Sequence, residues 1–215
     1  MKFRSFVLDK REARFLYDPY GTHQPVLYEA LLRTSGSVIE FGCGASSTRL
    51  LHEYCEKYKR HLFSIDDDKE WLDRFKGFAT SRHEFIYVED WRVFLSNSGR
   101  KAWQYCDIAF VDSEPWTVRH WAIQAVKQTA KYIILHDCDY FPGIGMFGKN
   151  VKQLDGSQNR GLRTYDDVFK YWREFFPLDP WPYPPTGPPT LLASNFEDCD
   201  WEIDFEKYVD TELFF

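Results

Sequence analysis

Long apolar runs are missing from this sequence. No stretch approaches the roughly 18 consecutive apolar residues of a membrane span, and the apolar run in the N-terminal MKFRSFVLDKREARF is too short for a secretion signal. A soluble, cytoplasmic chain is expected. Cysteine is sparse: the five residues at 43, 55, 106, 138 and 199 form an odd set without Cys-x-x-Cys spacing. That excludes a disulfide framework and a structural zinc site, and leaves reduced thiols. Basic runs are also missing, since no Lys/Arg run exceeds two residues, the net charge is −6 and the pI is near 5.5. Nucleic acid as the main partner is thereby excluded, because such proteins carry a basic face for the phosphate backbone. There is no internal repeat and no low-complexity segment, and none of these features fixes an oligomeric state.

Aromatic residues are abundant, at 19% of the 215 residues, with 8 Trp, 13 Tyr and 19 Phe. Most are expected in the core, and some Trp and Tyr are candidates for lining a pocket around a flat ligand or the CH face of a sugar. With 44% hydrophobic residues the chain suffices for one domain with a sizeable core and a cleft.

Short apolar runs alternate with helical patterns. VIEF (38–41), HLFSID (61–66), EFIYV (84–88), DIAFV (107–111) and YIIL (132–135) read as buried strands. Between them, Leu50, Leu51, Tyr54, Cys55 and Tyr58, then Trp71, Leu72, Phe75 and Phe78, then Trp91 to Leu95, then Val118, Trp121, Ala122, Ala125 and Val126, fall at helical spacing. Five such strands imply an α/β fold, a doubly wound parallel sheet covered on both faces. Pro25 to Arg33 reads as a helix ahead of the first strand, in an N-terminal cap segment, 1–36. After the fifth strand, residues 137–163 hold five glycines and four basic residues without a period, and are expected to form a lid over the acceptor site. Thr164 followed by Asp167 predicts a helix start, with Val168, Phe169, Trp172 and Phe176 on its face. WPYPPTGPP (181–189) must be extended, and TLLAS (190–194) and WEIDF (201–205) are expected to pair as an edge hairpin.

The turn after the first strand, in VIEFGCGASS, carries the chemistry. Gly42 and Gly44 let backbone approach a ligand closely, and Asp66 ends the second strand where an acid holds a ribose in doubly wound sheets. A pyrophosphate site favours G-x-G-x-x-G and avoids a carboxylate beside the phosphates. Here Ser47 takes the third glycine position and Glu40 precedes the turn, so a cationic, phosphate-free nucleoside such as S-adenosylmethionine suits it better.

On VIEFGCG, FSIDDD, YVEDW, DIAFVD and YIILHD, spread over nearly the whole chain, the sequence resembles the class I S-adenosylmethionine-dependent methyltransferases. The resemblance implies one Rossmann-like methyltransferase domain over 1–215, a seven-stranded, mostly parallel sheet ending in an antiparallel pair. It implies that Glu40, Gly42 and Gly44 contact the methionine part, Asp66 the ribose hydroxyls, and Asp90 with Trp91 the adenine. Ser46 and Ser47 stand where the family often has a third glycine, and His23 and Gln24 of GTHQP would close over the methionine end.

A methyl on a sulfonium is already activated, so positioning carries much of the catalysis, while a hydroxyl acceptor must also lose its proton. The candidates follow the fourth and fifth strands: Asp112, and His136, Asp137 and Asp139 of LHDCD. Two mechanisms stand open. In the favoured one His136 or Asp137 is the general base without a metal; in the other Asp112 and Asp137 hold Mg²⁺. DSEPW after the fourth strand departs from the Asn/Asp-Pro-Pro-aromatic motif of nucleobase N-methyltransferases. With the basic lid and Trp116, Tyr140, Trp181 and Tyr183, it favours O-methylation of a saccharide or glycosylated small molecule. The rivals are an NAD-dependent sugar-modifying oxidoreductase, whose short-chain form needs a Tyr-x-x-x-Lys that is missing here, and a non-catalytic methyltransferase-like binding module.

Overall fold

The structure, a computed structural model, describes residues 7–9, 12–16, 20–96, 105–138, 165–176 and 188–210. In chain order, β1 (Val7–Asp9) and β2 (Glu12–Leu16) precede α1 (Gln24–Arg33), β3 (Val38–Phe41), α2 (Thr48–Lys57), β4 (Leu62–Asp66), α3 (Lys69–Asp73) and β5 (His83–Tyr87). Then come α4 (Trp91–Ser96), β6 (Ile108–Val111), α5 (Trp116–Val126), β7 (Tyr132–Leu135), β8 (Tyr171–Phe175), β9 (Thr190–Ser194), α6 (Phe205–Tyr208) and β10 (Val209–Asp210). The five expected strands form the parallel part of a seven-stranded sheet of order β5-β4-β3-β6-β7-β9-β8.

Every residue of β3, β6 and β7 is buried, which is why these strands, Glu40 apart, read as continuous apolar runs. Alternate side chains go to opposite helical layers. Val38, Leu62, Ile108, Phe110 and Ile134 pack with Leu27 and Leu31 of α1 and Leu50 and Leu51 of α2. Ile39, Phe41, Ile65, Ala109 and Val111 pack with Trp91 and Leu95 of α4 and Val118, Ala122 and Val126 of α5. The strand order reverses between β3 and β6, so their carboxyl ends part to open a crevice.

Two expectations are corrected. Residues 165–176 do not form a helix: a turn at 166–168 leads into β8, paired antiparallel with β9 from Tyr171 opposite Ser194 to Phe175 opposite Thr190. Tyr171 packs on one helical layer and Trp172 on the other, a period of two that the spacing of Val168, Phe169, Trp172 and Phe176 concealed. WEIDF is not a strand either. β9 is hydrogen-bonded to β7 on one side and to β8 on the other, so it has no free edge for residues 201–205. Trp201 instead packs edge-on against Tyr132, at 4.9 Å between ring centroids. The antiparallel C-terminal pair is therefore present with a different member.

A second, three-stranded sheet of order β1-β2-β10 was not legible in the sequence. The expected lid beyond 138, Thr164 and the stretch 181–187 lie outside the described residues. Among the described residues no helix is long and apolar enough to cross a membrane.

Candidate active site

The glycine turn lies at the carboxyl end of β3, against the end of β6. Gly42 has φ +90°, and a Cβ there would lie 2.6 Å from the carbonyl oxygen of Asp112. Only glycine fits on both counts. From the neighbouring strand Asp66 straps the turn: its Oδ2 accepts from the Cys43 amide (2.8 Å) and its Oδ1 from the Asp68 amide (2.9 Å). Burial pushes the Asp66 carboxyl up, against those two amide bonds, which lower it. Trp71 of α3 donates its indole N–H to the Cys43 carbonyl at 2.7 Å. The Gly44 amide donates to the Thr48 hydroxyl at 2.9 Å, which ties the turn to the first residue of α2.

Glu40 stands beneath this turn and is fully buried. Thr48 donates to its Oε1 at 3.0 Å and Ser64 to its Oε2 at 2.6 Å. Burial pushes its carboxyl up to about 7, with the Ser64 bond working in the opposite direction. Behind it Ser64 meets His83 Nε2 at 3.0 Å, and His83 Nδ1 lies 3.1 Å from His52 Nδ1. Burial takes His83 down to about 3, so this ring is neutral.

The other candidates for the nucleoside side are spread more widely. Asp90 is exposed beyond β5, where its Oδ1 accepts from the amides of Arg92 (2.7 Å) and Val93 (3.1 Å) and caps α4. Trp91 points into the core beside Phe41, with its indole nitrogen lacking a hydrogen-bond partner among the described residues. Gln24, at the start of α1, donates to the Ser46 carbonyl at 2.8 Å and so holds the N-terminal segment over the turn. His23 packs on Phe110 and edge-on against His136, with centroids 4.7 and 4.4 Å away.

A second cluster faces the turn from the ends of β6 and β7. His136 Nδ1 lies 3.2 Å from Asp112 Oδ2, and its Nε2 lies 3.2 Å from the Thr22 hydroxyl and 3.5 Å from Asp137 Oδ1. Arg119 of α5, 2% exposed, donates to Asp112 Oδ1, the His136 carbonyl and the Ser113 carbonyl, each at 2.8 Å. Burial opposes the charge on Asp112, but His136 and Arg119 hold its pKa below the ordinary value. Burial likewise disfavours imidazolium at His136, and the Asp112 carboxylate more than offsets this, raising its pKa. Asp137 has φ +52°, a conformation costly for a residue with a side chain and commonest at functional sites. Burial raises its carboxyl against the pull of His136.

The structure thus brings Asp112, His136, Asp137, His23 and Gln24 together with Gly42, Gly44, Ser46 and Asp66. Asp90 and Trp91 lie to the side, engaged in a helix cap and in the core. Asp112 and Asp137, weighed as Mg²⁺ ligands, have a guanidinium between them: Arg119 Nη2 is 2.8 Å from one and Nη1 is 3.5 Å from the other. Thr22, Thr48, Ser64, Trp71 and Arg119 escaped the sequence reading. Arg119 in particular falls on the otherwise apolar buried face of α5, where nothing local marks it.

No protein-family model matches the chain, and no curated protein matches it in sequence. Among solved structures it is similar to spermidine synthase in complex with the transition-state analogue AdoDATO, at 16% identity and a TM-score of 0.54, covering 92% of this chain and 65% of that one. The chain therefore spans just under two thirds of that enzyme. A TehB-like S-adenosylmethionine-dependent methyltransferase from Corynebacterium glutamicum matches at 13% identity and TM-score 0.48, covering 82% and 88% of the two chains. An S-adenosylmethionine-bound amino pentose methyltransferase from Micromonospora echinaspora, involved in calicheamicin biosynthesis, matches at 13% and 0.46, covering 83% and 92%. These are likenesses of fold. The Rossmann-like fold of the class I S-adenosylmethionine-dependent methyltransferases, implied by the sequence motifs, is the fold observed.

Proposed function

We propose that this chain is an S-adenosylmethionine-dependent methyltransferase, acting in the cytoplasm on a hydroxyl of a saccharide or glycosylated small molecule. The observation that carries the reading is the Gly42 turn, which has no room for a side chain and is strapped by Asp66 at the point where the strand order reverses. The residues fit a phosphate-free adenosine compound. Glu40 and Asp66 surround the turn with carboxylates, which oppose a pyrophosphate and favour a cation. When bound, S-adenosylmethionine supplies a methyl group on a sulfonium.

The chain's own residues then divide the work. Gly42 and Gly44 admit the methionine end, Gln24 holds the N-terminal segment over it, and Asp66 retains lone pairs for the ribose. Across the crevice Asp137, whose side chain is 20% exposed, takes the proton of the acceptor hydroxyl. His136 and Arg119, each bonded to Asp112, hold it in position. The acceptor class rests on Trp116 beside this cluster and on the basic, glycine-rich segment after it; Tyr140, Trp181 and Tyr183 lie outside the described residues.

Thermal melting with S-adenosylhomocysteine and with NAD tests the reading. A ligand specific for the native state at a hundred times its Kd adds about 2.7 kcal/mol, so S-adenosylhomocysteine raises the melting temperature and NAD does not. The opposite response selects the oxidoreductase, and no response to either selects a binding module. A mass-spectrometric screen for the gain of one methylene across sugars then tests the acceptor.

A further inference from the structure

We infer that His23, Asp112 and His136 form a binding site for one divalent transition-metal ion of the zinc type, at the acceptor end of the crevice. The three residues come from the start of α1 and the ends of β6 and β7, and each offers a ligand atom within 4.8 Å of the others. His136 Nδ1 and Asp112 Oδ2 are already 3.2 Å apart. Two tetrahedral ligands at zinc bond lengths stand about 3.4 Å apart, so this pair needs almost no movement.

Two further observations point to a ligand. The first is His23, 1% exposed, with neither ring nitrogen hydrogen-bonded among the described residues. Leaving a buried polar group without a partner is unfavourable, and a metal ion would use the idle lone pair. The second is the tautomer of His136. Thr22 donates its hydroxyl proton to the Pro188 carbonyl at 2.7 Å, so toward His136 Nε2, at 3.2 Å, Thr22 can only accept. Nε2 therefore carries a hydrogen, and Nδ1 faces a carboxylate oxygen. That contact is favourable only with a positive charge in it, a proton or a metal ion. A proton would satisfy His136 and Asp112 and leave His23 idle; a metal ion satisfies all three.

The surroundings have the form that ligand residues need. His136 is oriented through Thr22, and Asp112 is anchored on its other oxygen by Arg119 at 2.8 Å. Two imidazoles and one carboxylate suit zinc, iron(II), cobalt(II) or nickel(II), and do not suit Mg²⁺, which demands oxygen. All five cysteines are free and buried, and none belongs to this triad. Asp112 is 22% exposed on its side chain, which leaves the ion an open side toward the crevice. Such an ion would hold and acidify an acceptor hydroxyl next to Asp137. This last role rests on the methyl-transfer reading; binding of the ion does not.

The test uses the full chain, stripped with a chelator and then titrated with Zn²⁺ by calorimetry and with Co²⁺ by visible absorption, without any nucleoside. The expected result is one equivalent bound at micromolar or tighter Kd, Co²⁺ bands of nitrogen and oxygen ligation without thiolate charge transfer, and no binding of Mg²⁺ in the same range. His23→Ala should weaken Zn²⁺ binding by about a hundredfold or more. His61→Ala, at an exposed position before β4, should leave it unchanged. Should His23→Ala not fold, His23→Asn and the Co²⁺ spectrum of the unmodified chain carry the decision. Absence of binding, thiolate bands, or full affinity after loss of His23 would each overturn the site. A positive response to S-adenosylhomocysteine alongside any of these would show that the cofactor reading survives without the metal.

Discussion

Glu40→Gln is the most informative single change. Glu40 is fully buried under the glycine turn, and burial raises its carboxyl from 4.5 to about 7. A carboxyl with a folded pKa above its unfolded one binds its proton more tightly in the native state, so native stability falls as pH rises from about 4.5 to 7. Below that window the group is neutral in both states and contributes nothing. Above it the native protein carries a buried charge, and a shift of this size corresponds to about 3 kcal/mol at pH 8. Glutamine keeps the shape and both contacts, because Thr48 still donates to the amide oxygen and Ser64 accepts from the amide nitrogen. The variant should match the wild type at pH 4, melt higher at pH 8 by roughly 6–12 °C, and show a flatter profile between. Calorimetric or fluorimetric melting of both proteins from pH 4 to 8 measures this directly. S-adenosylhomocysteine supplies the second readout: its ammonium favours the charged form of Glu40, so wild-type affinity should rise with pH through 7 and that of the variant should not. Superimposable stability profiles would refute the claim that this carboxyl is held up by burial.

Four other outcomes follow from the geometry. Gly42→Ala, with φ at +90° and a Cβ 2.6 Å from the Asp112 carbonyl, should cost about 1–3 kcal/mol in urea unfolding and abolish the S-adenosylhomocysteine shift. Arg119→Met removes the guanidinium from Asp112 and from two carbonyls, and should cost about 3 kcal/mol in the same measurement, since it strands a largely buried carboxylate. Asp137→Ala should leave S-adenosylhomocysteine affinity within a few fold while lowering turnover about a hundredfold, whereas Asp90→Ala should cost about 1 kcal/mol as a lost helix cap.

Local pattern and covalent reach were enough for the sequence to determine the five parallel strands, the helices between them and the turn that Gly42 makes. Strands buried on both faces need unbroken apolar runs, and a turn against a neighbouring backbone needs a residue without a Cβ; both requirements are written in adjacent residues. Asp66 was legible for the same reason, as the last residue of a recognisable strand. Pairing between distant segments decided the rest. β8 is a strand because β9 offers it an edge, although its apolar spacing reads as a helix, and residues 201–205 are not a strand because that edge is taken. Arg119 became the anchor of Asp112, and His23 came to lie on His136, only once α5 and α1 were laid against the carboxyl ends of β6 and β7. No local signal carries such contacts, since each joins residues whose spacing along the chain says nothing about their distance in space.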